Sequence, residues 1–400
     1  MMKRILMLGG STSQVCAIKK AQSMGHYVII CDYLPDNPGQ YVADEFYQVS
    51  TTDKDAVLEL AQRLNLDAVV CYASDPAAPT AAYVCEKLGF PTNPYKSVEI
   101  LTNKDSFRQY LAEHGFCTPA AYYFDTFEDM LADCGKFEYP VMVKPVDSSG
   151  SKGINKVYDQ GQLKYAFEDA MKYSRCGRVI VEKFINKKGY QISSDGFAVD
   201  GILKFRCFAN EFYSDNGIKE YVPLGECWPS VLDKDVQDRV HAELQRLITS
   251  LGMRTGAYNI EVVIDENDDI YIMELGARNG GSLIPQITQY ATGVDLVEYT
   301  IKAALGEDCS DLTMKEPSGF WSNYMVHSTK SGKLVRVSLA DEIKDNLVEY
   351  QTDFKEGDQV QAFENAGHAL GTMVFRYDSM EEMFEKIPHL TDWVRVEVNA

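Results

Sequence analysis

The run GAYNIEVVIDENDDIYIMELGARNGG at residues 256–281 decides how the rest of the chain is interpreted. It contains two stretches of alternating and β-branched residues joined by a polar run at 266–269. That pattern predicts a β-hairpin. A hairpin centred on the polar run places Glu261 opposite Glu274, with Cβ atoms roughly 4.5–5.5 Å apart, where like charges are destabilising.

Two carboxylates in such a position require a cation between them, and Mg²⁺ with a phosphate substrate is the commonest solution. An exposed hairpin with two solvated glutamates explains the same residues equally well. The run at 276–281, GARNGG, favours a site because it brings Arg278 close behind the carboxylates in a glycine-rich turn. A guanidinium fork suits an anionic, metal-bound substrate.

Length and charge limit the function classes. A chain of 400 residues is too long for one ordinary core, so two to four subdomains are expected. The formal net charge of −20 argues against sequence-independent binding of nucleic acid, which needs a basic surface. It does not exclude ATP, because a local cationic pocket can lie inside an acidic protein.

The cysteines and the apolar runs bear on the compartment. The ten cysteines are scattered, without a C-x-x-C pair or a Cys/His cluster at zinc spacing. The start of the chain, MMKRILMLGG, is typical of a first strand rather than of a signal peptide. No apolar run approaches the length of a membrane span. A reduced, cytoplasmic protein without a membrane partner is expected.

The first hundred residues alternate strand and helix, which predicts a doubly wound parallel sheet. Its first turn, at residues 9–13, reads Gly-Gly-Ser-Thr-Ser and lacks the third glycine of G-x-G-x-x-G. A nicotinamide or flavin site is therefore not expected. The turn instead indicates a helix N-terminus able to hold an anionic group.

Two lysines stand where a phosphate partner would explain them. Lys104 lies in the first turn of a predicted helix with Thr102 as its N-cap, where a cation opposes the helix dipole. Lys144 interrupts an apolar strand and precedes the small-residue loop at 147–153, whose N–H groups can fold over phosphates. The loop is not a Walker A motif. Alone these are a surface lysine and a flexible hairpin; together they favour a phosphate clamp.

The order of these motifs closely resembles that of the ATP-grasp superfamily, over nearly the whole chain. The resemblance implies an α/β fold that is α+β in the catalytic core. A Rossmann-like parallel-sheet domain would occupy residues 1–100, and a small lid subdomain with its linking helix residues 101–186. A large catalytic subdomain would occupy residues 187–311, and a β-rich cap residues 312–400.

The resemblance assigns roles to the charged residues. Lys104 and Lys144 match the two nucleotide-binding lysines, and Lys144 is also implied to be catalytic. Glu261 and Glu274 match the two metal carboxylates, and Arg278 matches the catalytic arginine that contacts the transferred phosphate. The mobile phosphate loop of the superfamily matches Ser148, Ser149, Gly150, Ser151, Lys152 and Gly153.

The strand VIVEKFI resembles the adenine hinge of the superfamily. The resemblance puts Glu182 near the base and uses the backbone of Lys183 and Ile185 as its hydrogen-bonding edge. Gln191 stands where many members have a ribose-binding glutamate, so the ribose contact differs in this chain.

One departure concerns the metal site. Many members read E-x-N-x-R, with the asparagine as a further metal ligand, whereas this chain reads Glu274-Leu275-Gly276-Ala277-Arg278. Glycine has no side chain with which to coordinate. One Mg²⁺ is therefore expected, and a second would rely on water, substrate or a neighbour such as Asn279. The ELGAR form is similar to the amino-acid ligase, carnosine-synthase-like and carbamoyl-phosphate-synthase-like branch.

The resemblance implies an ATP-dependent carboxylate–amine ligase. The γ-phosphoryl group of ATP would pass to a substrate carboxylate, and an amine would attack the resulting acyl phosphate to leave an amide, ADP and phosphate. The partners are a small carboxylate, such as an amino acid, and an amine; a homodimer is a further possibility. The alternatives are an ATP-grasp carboxylase, a purine-pathway ribosylamine enzyme, or an ATP-binding regulatory module without turnover, motivated by Gly276 and Gln191.

Overall fold

The computed structural model describes residues 1–213 and 221–399. An amino-terminal parallel sheet confirms what the alternation of strand and helix predicts, and its strand order is β3-β2-β1-β4. Its elements are β1 Arg4–Leu8, α1 Thr12–Ser23, β2 Tyr27–Asp32, β3 Glu45–Gln48, α2 Lys54–Arg63, β4 Ala68–Cys71 and α3 Ala78–Leu88. The central strands are almost fully buried because helices cover both faces of the sheet.

An antiparallel four-stranded sheet follows, with the order β5-β8-β6-β7. Its elements are α4 Tyr95–Thr102, α5 Lys104–Glu113, β5 Ala121–Phe124, α6 Phe127–Asp133, β6 Val141–Pro145, β7 Asn155–Val157, α7 Leu163–Met171 and β8 Val179–Lys183.

The predicted N-cap of α5 is wrong by one residue. Asn103 is the cap, because its side chain accepts the N–H of Ser106. Thr102 instead ends α4, where its hydroxyl donates to the carbonyl of Val98. Two helices meet here without a loop, so a threonine that terminates the first resembles a cap of the second.

A nine-stranded sheet forms the centre of the molecule, with the order β14-β13-β9-β11-β12-β15-β19-β17 and β10 paired to β9. A three-stranded sheet, β18-β16-β20, lies beyond it. The elements are β9 Gln191–Val199, β10 Ile202–Arg206, β11 Ala209–Tyr213, β12 Pro223–Trp228, α8 Lys234–Ser250, β13 Gly256–Ile264, β14 Ile270–Gly276, α9 Ile284–Thr292, α10 Leu296–Ala304, β15 Phe320–Val326, β16 Gly332–Leu339, α11 Asp341–Lys344, β17 Leu347–Gln351, β18 Gln359–Val360, β19 Gly371–Tyr377, α12 Met380–Lys386, α13 Leu390–Trp393 and β20 Val394–Asn399.

The strands after residue 312 do not all form a separate layer. β15 pairs with β12, so β15, β19 and β17 extend the central sheet. The predicted subdomain limits remain a prediction. Among the described residues, no helix is long and apolar enough to span a bilayer.

The glutamate hairpin has the predicted pairing at its functional end. Glu261 lies opposite Glu274, but Val262 lies opposite Ile272. A β-bulge therefore leaves Met273 as an extra residue in β14. The turn is displaced by one position from the prediction, and the bulge restores the register at the two carboxylates.

Candidate functional site

The two hairpin carboxylates form a donor set suited to a hard cation. Burial raises the pKa of Glu261 to about 8, and the charges of Glu274 and Glu211 add to the effect. A divalent cation would relieve this repulsion, and Mg²⁺ is commonly bound by one or two carboxylates together with substrate phosphates. Within residues 1–213 and 221–399, no group of three or more His, Cys, Asp or Glu is arranged to hold a metal. Other oxygen donors would therefore have to complete the coordination of the cation.

Lys104 joins the hairpin to the predicted phosphate loop. Its Nζ atom donates to the carbonyl of Ser148 at 2.8 Å and lies 3.6 Å from a carboxylate oxygen of Glu274. The lysine begins α5 directly after the capping residue Asn103, so its side chain leaves the helix at a defined position. The sequence places these three groups up to 170 residues apart, and the fold brings them into contact.

Lys144 belongs to a buried ionic group that the sequence identified only in part. Its Nζ atom donates to Glu182 at 2.8 Å, and Nε of Arg108 donates to the other oxygen of Glu182 at 2.6 Å. Burial raises the pKa of the Glu182 carboxyl, but the two cations outweigh burial and bring it down to about 2. Glu182 therefore holds Lys144 in place. Arg108 was missed because it occupies an ordinary position in an amphipathic helix.

A cavity of about 310 Å³ opens beside this group, and we name it the lysine cavity because four lysines line it. Its cationic lining residues are Arg108, Lys144, Lys156, Lys183 and Lys187. Seven of the predicted site residues meet there, namely Lys144, Ser151, Glu182, Lys183, Ile185, Gln191 and Glu261. The N–H of Lys183 already donates to the carbonyl of Ala120 at 2.9 Å. A nucleobase would therefore have to use the carbonyl of Lys183.

The phosphate loop is divided between three surroundings. Ser148 and Ser149 line a cleft with Lys104, Glu274 and Asp75, and Ser151 lines the lysine cavity. The other residues of the loop contact neither the cleft nor the lysine cavity but residues 366–367 and helix α7. Gly150 accepts the N–H of Ala366, Lys152 lies beside Gly367, and Gly153 packs against helix α7 and Tyr173.

Arg278 is held by a residue that the sequence did not identify. Its Nε and Nη2 atoms donate to the two carboxylate oxygens of Asp75 at 2.7 and 2.5 Å. Burial lowers the pKa of the guanidinium, but Asp75 outweighs burial and raises it above the ordinary value. Asp75 lies just beyond β4, at the carboxyl edge of the amino-terminal sheet, the edge at which parallel sheets bind ligands.

Asn279 does not replace the missing metal ligand. Its side chain is fully buried, and its Oδ1 atom accepts the hydroxyl of Thr300 in α10 at 2.8 Å. The hypothesis that Asn279 is a stand-in ligand is therefore wrong. The turn after Arg278 directs this side chain into the core.

Two further carboxylates were missed because the polar, aromatic-containing run at 211–225 predicts a loop, which includes Glu211 and ends directly before Glu226. Glu211 lies in β11 opposite Glu226 in β12, and the part of the predicted loop at 214–220 is outside the described residues. Burial is the main cause that raises the pKa of each to about 7. Charged residues in a central strand break the apolar pattern, so the segment resembled a loop.

A second cavity, of about 320 Å³, lies between the first turn of the chain, the run after the hairpin and the strands β17 and β19. We name it the glycine cavity, because Gly280, Gly281, Gly367 and Gly371 line it. Its described lining residues include Asp353 but no Lys, Arg or His. Helices α1 and α9 both begin at its wall and carry no acidic residue in their first turns.

Comparison with known proteins agrees with this geometry. Residues 103–312 match the family model of the carbamoyl-phosphate synthase L chain, ATP binding domain. The formate-dependent phosphoribosylglycinamide formyltransferase of Pasteurella multocida is 26% identical over 98% of this chain and 96% of its own. An L-amino acid ligase from Bacillus licheniformis covers all of this chain and 99% of its own with a TM-score of 0.85 and 20% identity.

A third similar structure was solved with nucleotide. The biotin carboxylase domain dimer of Hydrogenobacter thermophilus 2-oxoglutarate carboxylase, in complex with MgADP, has a TM-score of 0.75 and 16% identity, over all of this chain and 91% of its own. The family match spans more than half of the chain and contains the lysines, the phosphate loop, the glutamate hairpin and Arg278. The chain belongs to the ATP-grasp superfamily and is an ATP-dependent enzyme of its ADP-forming ligase type.

Proposed function

We propose that the protein is a carboxylate–amine ligase that joins an amino acid or other small carboxylic acid to an amine through an acyl phosphate. The observation that supports this choice of substrate is the charge of the glycine cavity, whose described lining includes no Lys, Arg or His. Phosphate groups are bound in proteins chiefly by those cations. A substrate without a phosphate group therefore suits this cavity better than a phosphoribosyl compound.

The helix termini support the same choice. Each helix N-terminus carries roughly half a positive charge. Two such termini, of α1 and α9, border the glycine cavity. Together they amount to about one positive charge, which matches the single charge of a carboxylate better than that of a phosphate dianion.

The lysine cavity is the proposed nucleotide site. ATP would place its base against the backbone of Lys183 and Ile185 and its ribose near Gln191. Glu261 and Glu274 would hold Mg²⁺, which would neutralise charge on the transferred phosphoryl group. Lys104 and Lys144 would bind phosphate oxygens, each held in place by a carboxylate. The loop at 148–153 would exclude water from the acyl phosphate.

A second candidate is a purine-pathway enzyme that acts on a phosphoribosyl compound, as the name of the Pasteurella relative, a phosphoribosylglycinamide formyltransferase, suggests for that protein. Full-length similarity to the formyltransferase favours this candidate. The missing cations in the glycine cavity weigh against it.

A substrate panel tests the proposal. The protein is incubated with ATP, Mg²⁺ and either paired amino acids, phosphoribosylglycinamide with formate, or bicarbonate with an amine, and the nucleotide products are separated by chromatography. Amino acids should release ADP and phosphate and form a peptide detectable by mass spectrometry. Turnover with phosphoribosylglycinamide alone would support the second candidate. Release of AMP and pyrophosphate would overturn the phosphoryl-transfer mechanism.

A further inference from the structure

The ion pair between Asp75 and Arg278 connects the amino-terminal domain to the end of the glutamate hairpin. The two residues are 203 positions apart in the chain. Ala73, with φ of 49°, turns the backbone just after β4 and so directs Asp75 across the domain boundary. Both side chains are largely buried, with 9% of Arg278 and 17% of Asp75 exposed. A buried guanidinium requires such a partner.

The hydrogen bonds of Arg278 leave a defined set of its guanidinium N–H groups available to a ligand. Nε and one Nη2 hydrogen go to Asp75, and one Nη1 hydrogen goes to the carbonyl of Asn279 at 3.0 Å. A guanidinium carries five N–H groups in a planar fork. Asp75 occupies the side edge of that fork. The donors that remain belong to Nη1 and Nη2, the two nitrogens of its end.

Gly276 makes this arrangement possible. A Cβ atom at this position would lie 2.9 Å from an oxygen of Asp75 and 3.2 Å from Nε of Arg278. The backbone of Gly276 is ordinary strand, so glycine is required there for space rather than for conformation. The position at which many superfamily members carry asparagine is filled in this chain by the carboxylate of Asp75.

We propose that Asp75 is a positioning residue for Arg278 and that Gly276 exists to admit it. The carboxylate holds the side edge of the guanidinium, so that the end of the fork is aimed at the transferred phosphoryl group. This inference rests on the proposed phosphoryl transfer. It makes the amino-terminal domain a part of the catalytic arrangement. It also explains why glycine replaces asparagine at position 276 in a chain that keeps its enzymatic activity.

The test compares Asp75→Asn with a matched control at the same domain boundary. Lys20 in α1 pairs with Asp295 at 2.5 Å and lines neither the lysine cavity nor the glycine cavity, so Lys20→Met removes an interdomain ion pair other than that of Arg278. Calorimetry measures the affinity of each variant for MgADP alone and for MgADP with aluminium fluoride, which mimics the transferred phosphoryl group. Thermal melting of each variant reports whether it is folded.

We expect Asp75→Asn to change the affinity for MgADP with aluminium fluoride but not the affinity for MgADP alone. Asp75→Asn should bind MgADP as the wild type does but lose about 10²-fold of the additional affinity for the fluoride complex, because a misplaced group commonly costs that much. Its kcat should fall with an unchanged KM for ATP. Lys20→Met should resemble the wild type in both affinities and in kcat.

A second variant guards against a simple folding defect. Gly276→Ala keeps both charges but places a methyl group where the pair meets, and should reproduce the loss. The double variant should be no worse than either single one, because both displace the same guanidinium. Wild-type fluoride affinity in Asp75→Asn, or additive losses in the double variant, would overturn the role of Asp75. A wild-type protein without any fluoride effect would overturn the phosphoryl transfer itself, and this role with it.

Discussion

The lysine cavity and the glycine cavity are nearly equal in volume, at about 310 and 320 Å³, but differ in the cationic side chains that line them. Five cationic residues line the first, and the described lining of the second has none. The difference supports the proposed assignment of the lysine cavity to the nucleotide and of the glycine cavity to the second substrate. A nucleotide always brings phosphates and requires cations, whereas the second substrate varies between relatives and leaves its cavity free to change.

The cavities also differ in how their walls are held. The key cations on the phosphate side are each fixed by a carboxylate, Lys144 by Glu182 and Arg278 by Asp75. The glycine cavity is bounded instead by helix ends and by glycines at close backbone approaches. Substitutions near the first cavity should affect the rate with every acceptor. Those near the second should change the choice of acceptor.

The largest effect is expected from Glu274→Gln, which removes a proposed metal carboxylate while keeping the shape of the side chain. Loss of one preorganised charge contact commonly costs on the order of 10²–10³ in rate, so ADP release should fall at least that far. Nucleotide-free stability should stay close to that of the wild type. Glu266→Gln, on the exposed turn of the same hairpin, is the matched control. Near-normal turnover in Glu274→Gln would exclude the metal assignment.

Lys144→Met should lower kcat by about 10²-fold, because it removes a phosphate cation and leaves Glu182 with Arg108 alone. Lys183→Met provides the contrast. Its side chain is half exposed and pairs with Glu138 at the surface, while its proposed nucleotide contact uses the backbone. Steady-state assays of ADP release should find little change in Lys183→Met. An equal loss in both variants would contradict the proposed division between side-chain and backbone contacts.

Lowering the pH should reduce the free energy of unfolding because the carboxylate of Glu182 becomes protonated. Its pKa of about 2 in the folded protein lies below the roughly 4.3 of an unfolded glutamate. The stabilisation is therefore complete above about pH 4.3 and is lost as the pH falls towards 2, amounting to about 3 kcal/mol. Denaturant unfolding between pH 2 and 7 measures it. Glu182→Gln should lack this part of the pH dependence, and an unchanged slope would contradict the ion-pair account.

The smallest effect is expected from a substitution in the wall of the glycine cavity. A Cβ atom at Gly281 would meet no atom within 4 Å, so Gly281→Val is expected to fold normally and to narrow the cavity. The KM for the acceptor should rise about tenfold, as for small steric changes in a binding pocket, with the affinity for MgADP unchanged. Gly135→Val is the control, because Gly135 is equally unobstructed and lines neither cavity. Equal KM values in both variants would argue that the acceptor binds elsewhere.

Local pattern was sufficient for most elements and for part of the site. Alternation and turn residues predicted the hairpin and the pairing of Glu261 with Glu274, although the bulge at Met273 was not foreseen. The prediction of a loop at 211–225 was wrong at its two ends, where β11 and β12 carry carboxylates on a buried face. Such residues contradict the apolar pattern that identifies a strand, and a functional site is where that contradiction is expected.

The sequence by itself determined the superfamily and the doubly wound amino-terminal sheet, and it suggested the proposed site residues Lys104, Lys144, Glu261, Glu274 and Arg278. The sheet and the glutamate hairpin follow from short-range periodicity, which the chain carries locally, whereas the superfamily and the site residues follow from the resemblance of the ordered motifs to ATP-grasp enzymes. Only the tertiary structure decided which carboxylate holds each cation, as with Arg108 and Glu182, 74 residues apart. It also revealed that Gly276 makes room for Asp75. An ion pair between distant segments leaves no periodic signal, because it depends on how separate layers pack rather than on the pattern within either one.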